Sequence, residues 1–190
     1  MPQRSFFTTF EISQICGVNP TTVQNWVKGK KLRAFQTPGG HRRVRREDLI
    51  AFMKEFGMPL PADLSQDPPL IMIVDDEIDV LDMLEALMRS GEDDVRIVKA
   101  ESGVEALLMI GEKKPDLLII DIMMPGMNGY EVCRKLKSSQ NTQNIKIVAI
   151  TGDHNTSVQE RVLGAGADLF FTKPLEIVEF RERCFQLLQS

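Results

Sequence analysis

Five side chains suited to phosphoryl transfer each follow a short apolar run. The runs 70–74, 117–120, 145–150 and 169–171 lead into Asp75 and Asp76, into Asp121, into Thr151, and into Thr172, Lys173 and Pro174. Three carboxylates gathered at one edge repel one another, and a hard divalent cation with oxygen ligands is the usual resolution. Magnesium suits such a site because it keeps positions open for water and for a phosphoryl oxygen. One carboxylate can then attack phosphorus and carry an acyl phosphate. A Thr151 hydroxyl can donate to a phosphoryl oxygen, and Lys173 can neutralise part of the added charge.

The elements that must bring these groups together are legible as periodicity. Val80, Leu81, Leu84, Leu87 and Met88 recur at helical spacing after the first acidic pair. A second strand is expected over 95–98, followed by a helix over 103–110 that Gly111 and Pro115 stop. Tyr130, Cys133 and Leu136 mark a third helix and Val158, Val162 and Leu163 a fourth. Leu175, Val178, Phe180, Cys184 and Leu187 mark a fifth. Five buried strands alternating with five helices predict an α/β fold, a doubly wound, flavodoxin-like parallel sheet with its chemistry at the carboxyl ends of the strands.

Charge divides the chain. Residues 1–58 hold ten Lys and Arg against four Asp and Glu, whereas residues 59–190 hold thirteen against twenty-three. A basic module able to bind a polyanion is thus joined to an acidic one that repels it. Prolines at 59, 61, 68 and 69 predict a semi-extended linker over 59–69, between a head at 1–58 and a phosphoacceptor domain at 70–190. Cys16, Cys133 and Cys184 lack metal or redox spacing and read as reduced thiols. No apolar stretch approaches the roughly 20 residues of a membrane span, and no signal-peptide core opens the sequence, so a cytoplasmic protein with no membrane partner is expected.

In the head, Thr8-Thr-Phe-Glu11 reads as a capping box opening a helix with Phe10 and Ile15 inward, closed by Gly17. Asn19-Pro20 starts a second helix that runs through Lys28 to Gly29. Two such helices around a tight turn form a helix-turn-helix. With Val18, Val23, Trp26 and Val27 buried, Thr21, Thr22, Gln24, Asn25 and Lys28 are left for DNA. Two strands around Pro38-Gly39-Gly40 form an arginine-rich wing, so Lys30, Lys31, Arg33, His41, Arg42, Arg43, Arg45 and Arg46 join the DNA-facing set. A third helix follows, its stripe Leu49, Ile50, Phe52, Met53 and Phe56.

Two resemblances sharpen these readings. Residues 70–188 resemble a two-component receiver domain: Asp116-Leu-Leu-Ile-Ile-Asp-Ile-Met-Met-Pro-Gly-Met-Asn-Gly-Tyr-Glu-Val-Cys-Arg is similar to that family's phosphoacceptor region, and Gly164-Ala-Gly-Ala-Asp with Lys173-Pro174 resembles its closing motif. The resemblance implies Asp121 as phosphoacceptor, Mg2+ on Asp76, Asp121 and the Met123 carbonyl with Asp75 acting through water, Thr151 and Phe170 as the switch pair, and Lys173 as counter-ion. It implies a histidine kinase or phosphotransfer protein as donor, since the chain has no kinase domain. It also implies a homodimer through charged residues such as Arg161, Asp168, Glu176 and Arg183. Residues 6–56 resemble the winged helix-turn-helix of the MerR and excisionase superfamily, most specifically at Thr37-Pro-Gly-Gly-His-Arg-Arg, which implies duplex DNA as partner. The long coiled-coil helix and cysteine effector site of that superfamily are missing from this sequence.

Together these predict a DNA-binding response regulator that is no enzyme beyond phosphorylating itself from small donors and dephosphorylating itself. The alternative is an adaptor whose head binds a protein. A phosphatase with an aspartyl nucleophile ranks last, because Ile122-Met123 supplies no second aspartate two residues after Asp121.

Overall fold

The computed structural model describes residues 4–91 and 93–190. It divides into two compact units, one running to Asp67 with Gly91–Asp94, the other comprising Pro68–Ser90 and Val95–Ser190.

The larger unit is a five-stranded parallel sheet. Strands β4 (Leu70–Val74), β5 (Arg96–Ala100), β6 (Leu117–Asp121), β7 (Lys146–Thr151) and β8 (Leu169–Thr172) lie in the order β5-β4-β6-β7-β8. Helices α5 (Ile78–Arg89), α6 (Gly103–Lys113), α7 (Gly129–Lys137), α8 (Thr156–Gly164) and α9 (Ile177–Leu188) complete it. Every residue of β4 and β6 is buried, because helices cover both faces. Alternation sorts the side chains. Met72, Val74, Leu118, Ile120, Ile147 and Ala149 share one core with Ala106 and Ile110 of α6, Val132 and Leu136 of α7 and Val162 of α8. Ile71, Ile73, Leu117, Ile119, Val148 and Ile150 share the other with Leu81, Leu84 and Met88 of α5 and Phe180 and Cys184 of α9. The flavodoxin-like fold class expected from the sequence is therefore the observed one.

Two acidic side chains lock the opposite, amino-terminal edge of this sheet. Asp116 accepts the Leu70 N–H at 2.8 Å, and Asp168 accepts the Ile147 N–H at 2.7 Å and the Lys137 ammonium at 3.1 Å. The helix expected to stop at Gly111 runs on to Lys113, and the left-handed Lys114 (φ 46°) ends it. Lone glycine costs a helix only about 1 kcal/mol, which packing overrides. Leu163 and Val178, expected inside, are exposed at the edges of their helical stripes.

The smaller unit packs α1 (Thr9–Ile15), α2 (Pro20–Lys28) and α3 (Arg46–Glu55) against a three-stranded antiparallel sheet, β1 (Phe6–Thr8), β3 (Arg42–Arg45) and β2 (Phe35–Gln36), in the order β1-β3-β2. The hairpin expected from Pro38-Gly39-Gly40 is β2–β3; the third strand, β1, pairs Phe7 with Val44 across its middle. The capping box is formed: Thr8 Oγ1 accepts the Glu11 N–H at 3.1 Å, and Glu11 accepts the Thr8 N–H at 2.8 Å. Asn19 caps α2 by position but makes no side-chain cap bond. Phe10, expected inward, is 59 % exposed, whereas Ile12 is fully buried. Two residues along a helix turn the side chain by about 200°, so only one of these can face the core. Phe56, also expected inward, stays 47 % exposed beyond Phe52.

Residues 59–69 are no semi-extended linker. They carry a short helix α4 (Ala62–Ser65), started by the Pro61 carbonyl accepting the N–H groups of Leu64 and Ser65, both at 3.0 Å. Leu64 is buried in the same core as Phe7, Ile12, Val23 and Val44, with Met58 and Leu60 packed alongside. The left-handed Gly57 (φ 63°) ends α3, with the Met58 N–H donating to the Met53 carbonyl at 2.8 Å, and Pro61 then opens a new turn. No helix among the described residues is long and apolar enough to cross a membrane.

Candidate phosphoacceptor site and nucleic-acid interface

Parallel pairing delivers the chemistry to one edge of the sheet. Asp121 closes β6 opposite Ile150, and Thr151 closes β7 opposite Thr172, one residue before Lys173. The Lys173 N–H donates to the Thr151 carbonyl at 2.7 Å, which fixes the lysine at this corner; its peptide to Pro174 is cis. The Lys173 ammonium reaches Asp75 Oδ2 at 3.0 Å and Asp121 Oδ2 at 2.5 Å. The second oxygen of Asp121, Oδ1, accepts the Met123 N–H at 2.6 Å, and Asp75 Oδ1 accepts the Glu77 N–H at 3.0 Å. Both carboxylates are thus oriented as well as placed.

Burial sets the electrostatics. Asp75, Asp121 and Thr151 are 1 %, 6 % and 0 % exposed. Burial raises the Asp75 carboxyl above the usual carboxylate range, against its bonds to Glu77 and Lys173, and the nearby Asp121 raises it further. Burial also opposes the charge on Lys173, but its hydrogen bonds to Asp121 and Asp75 outweigh this and hold the ammonium above its ordinary value. One ammonium therefore serves two buried carboxylates, and the corner keeps a negative excess.

A hard cation fits that excess, since every donor here is an oxygen. Asp75 and Asp121 converge through Lys173; Asp76 is exposed at the edge and joins no hydrogen bond with them among the described residues. Nor do three acidic, imidazole or thiol groups form a ready metal cage among the described residues. Phe170 is half-buried against the core on the α6–α8 side of the sheet. The Thr151 hydroxyl accepts the Asp153 N–H at 3.1 Å.

On the smaller unit, Thr21, Gln24, Asn25 and Lys28 of α2 are exposed and Thr22 is half-exposed, while Val23 is buried behind them. Lys30, in a left-handed turn (φ 56°), Lys31, Arg33, His41 and Arg42 are exposed too, and Arg43 is half-exposed. Arg45 lies over the Phe35 ring, 6.0 Å from its centroid, and 3.5 Å from Glu47. Arg46 departs from expectation. Its side chain is 8 % exposed, and Nη2 donates to the carbonyls of Asp63, Leu64 and Gln66 at 3.2, 3.1 and 2.6 Å. The last arginine of the basic run opens α3 and, two residues after the buried Val44, falls on the buried side of the strand's alternation. It fastens α4 and, unlike the other arginines of the run, is buried.

A family model described as the response regulator receiver domain matches residues 71–185. The chain belongs to the response regulator receiver family. A second model, a helix-turn-helix domain, matches residues 6–56. The response regulator MprA of Mycobacterium avium is 39% identical over 121 residues, which cover 63% of this chain and 50% of that protein. MprA of Mycobacterium sp. strain KMS is 37% identical over 124 residues, 64% of this chain and 51% of that one. The chain spans about half the length of these curated relatives. Among solved structures, a response regulator from Chloroflexus aurantiacus superposes with a TM-score of 0.61 at 32% identity, over 65% of this chain and 100% of its own. The signal receiver domain of a DNA-binding response regulator (merR) from Colwellia psychrerythraea does so with 0.60 at 29%, again over 65% and 100%.

One residue that positions the receiver's site escaped the sequence reading. A Cβ on Gly129 would lie 2.4 Å from the Asp121 carbonyl oxygen and 2.9 Å from Ile122 Cα, so α7 can start this close to the end of β6 only with glycine. The contact is with backbone, which cannot swing aside. Gly129→Ala is expected to cost about 2 kcal/mol or more of stability, read as a lower midpoint in urea with an unchanged slope. An unaltered midpoint would show that the strand end yields.

Proposed function

We propose that this protein is a DNA-binding response regulator in which Asp121 accepts a phosphoryl group from a histidine kinase or phosphotransfer protein, with Mg2+ bound, and the helix-turn-helix unit binds duplex DNA to control transcription. The observation that carries the reading is the buried Asp121 carboxylate held between the Met123 N–H and the Lys173 ammonium. Aimed in this way, an Asp121 oxygen attacks phosphorus; the new O–P bond forms as the P–N bond of a phosphohistidine breaks, and the imidazole leaves with the electron pair. Lys173 stabilises charge on the phosphorylated side chain, and the Thr151 hydroxyl is free to turn its proton toward a phosphoryl oxygen. Asp75, Asp76, Asp121 and the Met123 carbonyl are the groups that would hold the cation, which supplies further charge neutralisation on the phosphoryl oxygens.

For DNA, Gln24, Asn25, Lys28 and their neighbours Thr21 and Thr22 on α2 are assigned to base edges, while Lys30, Lys31, Arg33, His41, Arg42 and Arg43 are assigned to phosphates. A cytoplasmic location and a phosphorylation-dependent homodimer through the receiver accompany this reading. Treating the full chain with acetyl phosphate and Mg2+ tests it: one phosphate adduct, a rise in oligomer mass and a DNA footprint are expected together. Absence of any adduct would overturn the phosphoacceptor assignment.

The phosphorylated state should be long-lived. Met123 is 63 % exposed two residues beyond Asp121 and cannot orient an attacking water, and Asp153 is engaged with the Asn155 N–H at 2.9 Å. Met123→Asn is expected to speed phosphate loss on the order of tenfold by positioning that water. The decay of the adduct, followed by intact mass, checks it; equal decay rates would refute the role.

A further inference from the structure

A cavity of about 390 Å³ opens beside the phosphoacceptor loop, between the β6–α7 connection and α8. Ile122, Met124, Val158 and Val162 supply its apolar floor. On its wall, the Arg161 guanidinium lies over the Tyr130 ring, 5.3 Å from the centroid. Among the described residues, Arg161 is the one charged side chain lining the cavity, and no carboxylate lies within ion-pair distance of it. Stacking on an aromatic face holds a guanidinium flat and leaves its N–H edge free to grip an anion in a fork. The volume falls in the roughly 300–1,000 Å³ range of small-molecule sites, where apolar walls carry a few convergent polar groups.

We propose that this cavity binds a small amphipathic carboxylate, an aromatic or branched-chain acid, with its carboxylate on Arg161 and its body against Ile122, Met124, Val158 and Val162. The cavity adjoins the Asp121 corner through Met123, which lines it, and binding needs no phosphorylation. A chemical class follows from the lining: a phosphate ester without an apolar body leaves the floor wet, and an uncharged hydrocarbon leaves the guanidinium unanswered.

The chain contains a single tyrosine, and it stacks on the binding arginine. Its ring resonances therefore report occupancy of the full chain without labels. Titration with phenylacetate should shift the Tyr130 signals saturably at millimolar concentrations, whereas phenylacetamide, of the same shape but uncharged, should bind about tenfold more weakly. Arg161→Gln alters an exposed side chain and should reduce phenylacetate affinity about tenfold while leaving phenylacetamide unchanged. Val158→Asp should abolish binding of both acid and amide by wetting the floor. The proposal is overturned by no saturable shift up to about 10 mM phenylacetate, by equal affinity for acid and amide, or by an Arg161→Gln variant that binds like the parent. It is overturned as well if Tyr130 shifts with protein concentration alone, which would assign the cavity to a second copy of the chain.

Discussion

Asp121→Asn yields a folded protein that takes no covalent phosphate from a small donor or from a kinase. An amide keeps the shape of the carboxylate and can still accept the Met123 N–H, which lies 2.6 Å from Asp121 Oδ1. Its nitrogen, however, cannot attack phosphorus as a carboxylate oxygen does, so the loss is complete rather than graded. The variant also removes one of the two carboxylates that face Lys173. A buried group relieved of a neighbouring like charge is less costly to ionise, so Asp75 should bind Lys173 alone without unfolding the site. Intact mass after incubation with acetyl phosphate and Mg2+ decides the matter. A full adduct on the variant, stable to conditions that hydrolyse acyl phosphates, would place the phosphorylation elsewhere.

The second large effect separates two kinds of arginine in one basic run. Replacing Arg42 and Arg43 together with alanine should weaken binding to any duplex and flatten the dependence of log K on log salt by about two, close to 0.9 for each phosphate no longer neutralised. Arg46→Met should leave that slope unchanged. Its cost falls on stability instead, about 2 kcal/mol or more, because three carbonyls of the α4 segment lose a buried charged donor. Binding isotherms at several salt concentrations, set beside urea unfolding of each variant, distinguish these outcomes. An Arg46→Met protein with a flattened slope and full stability would return this residue to the DNA-facing set.

The difference between these arginines shows where sequence stops. Read only as a run of basic residues, 42–46 looks like one solvated, cationic face, although alternation already sets Arg46 on the side of the buried Val44. Arg46 instead opens α3, and only the arrival of α4 beside it, with Leu64 in the core, supplies the carbonyls that its guanidinium requires. Contacts 17 to 20 residues apart in sequence leave no local signature.

For the larger unit most of the architecture is legible in the order of residues. Largely apolar runs flanked by helical stripes admit little besides a parallel sheet covered on both faces, and such a sheet must carry Asp75, Asp121, Thr151 and Lys173 to a common edge. Composition likewise separates a cationic head from an acidic partner, because net charge is a property of the chain and not of its folding. What those groups do to one another emerges only on folding: Lys173 spans Asp75 and Asp121 while Asp76 stays in solvent, Gly129 makes room for the strand end, and Arg161 stacks on Tyr130 over an apolar floor. Periodicity sets which face of an element is buried, but distances of about 3 Å between side chains on different elements depend on how those elements pack, and packing is a property of the whole core.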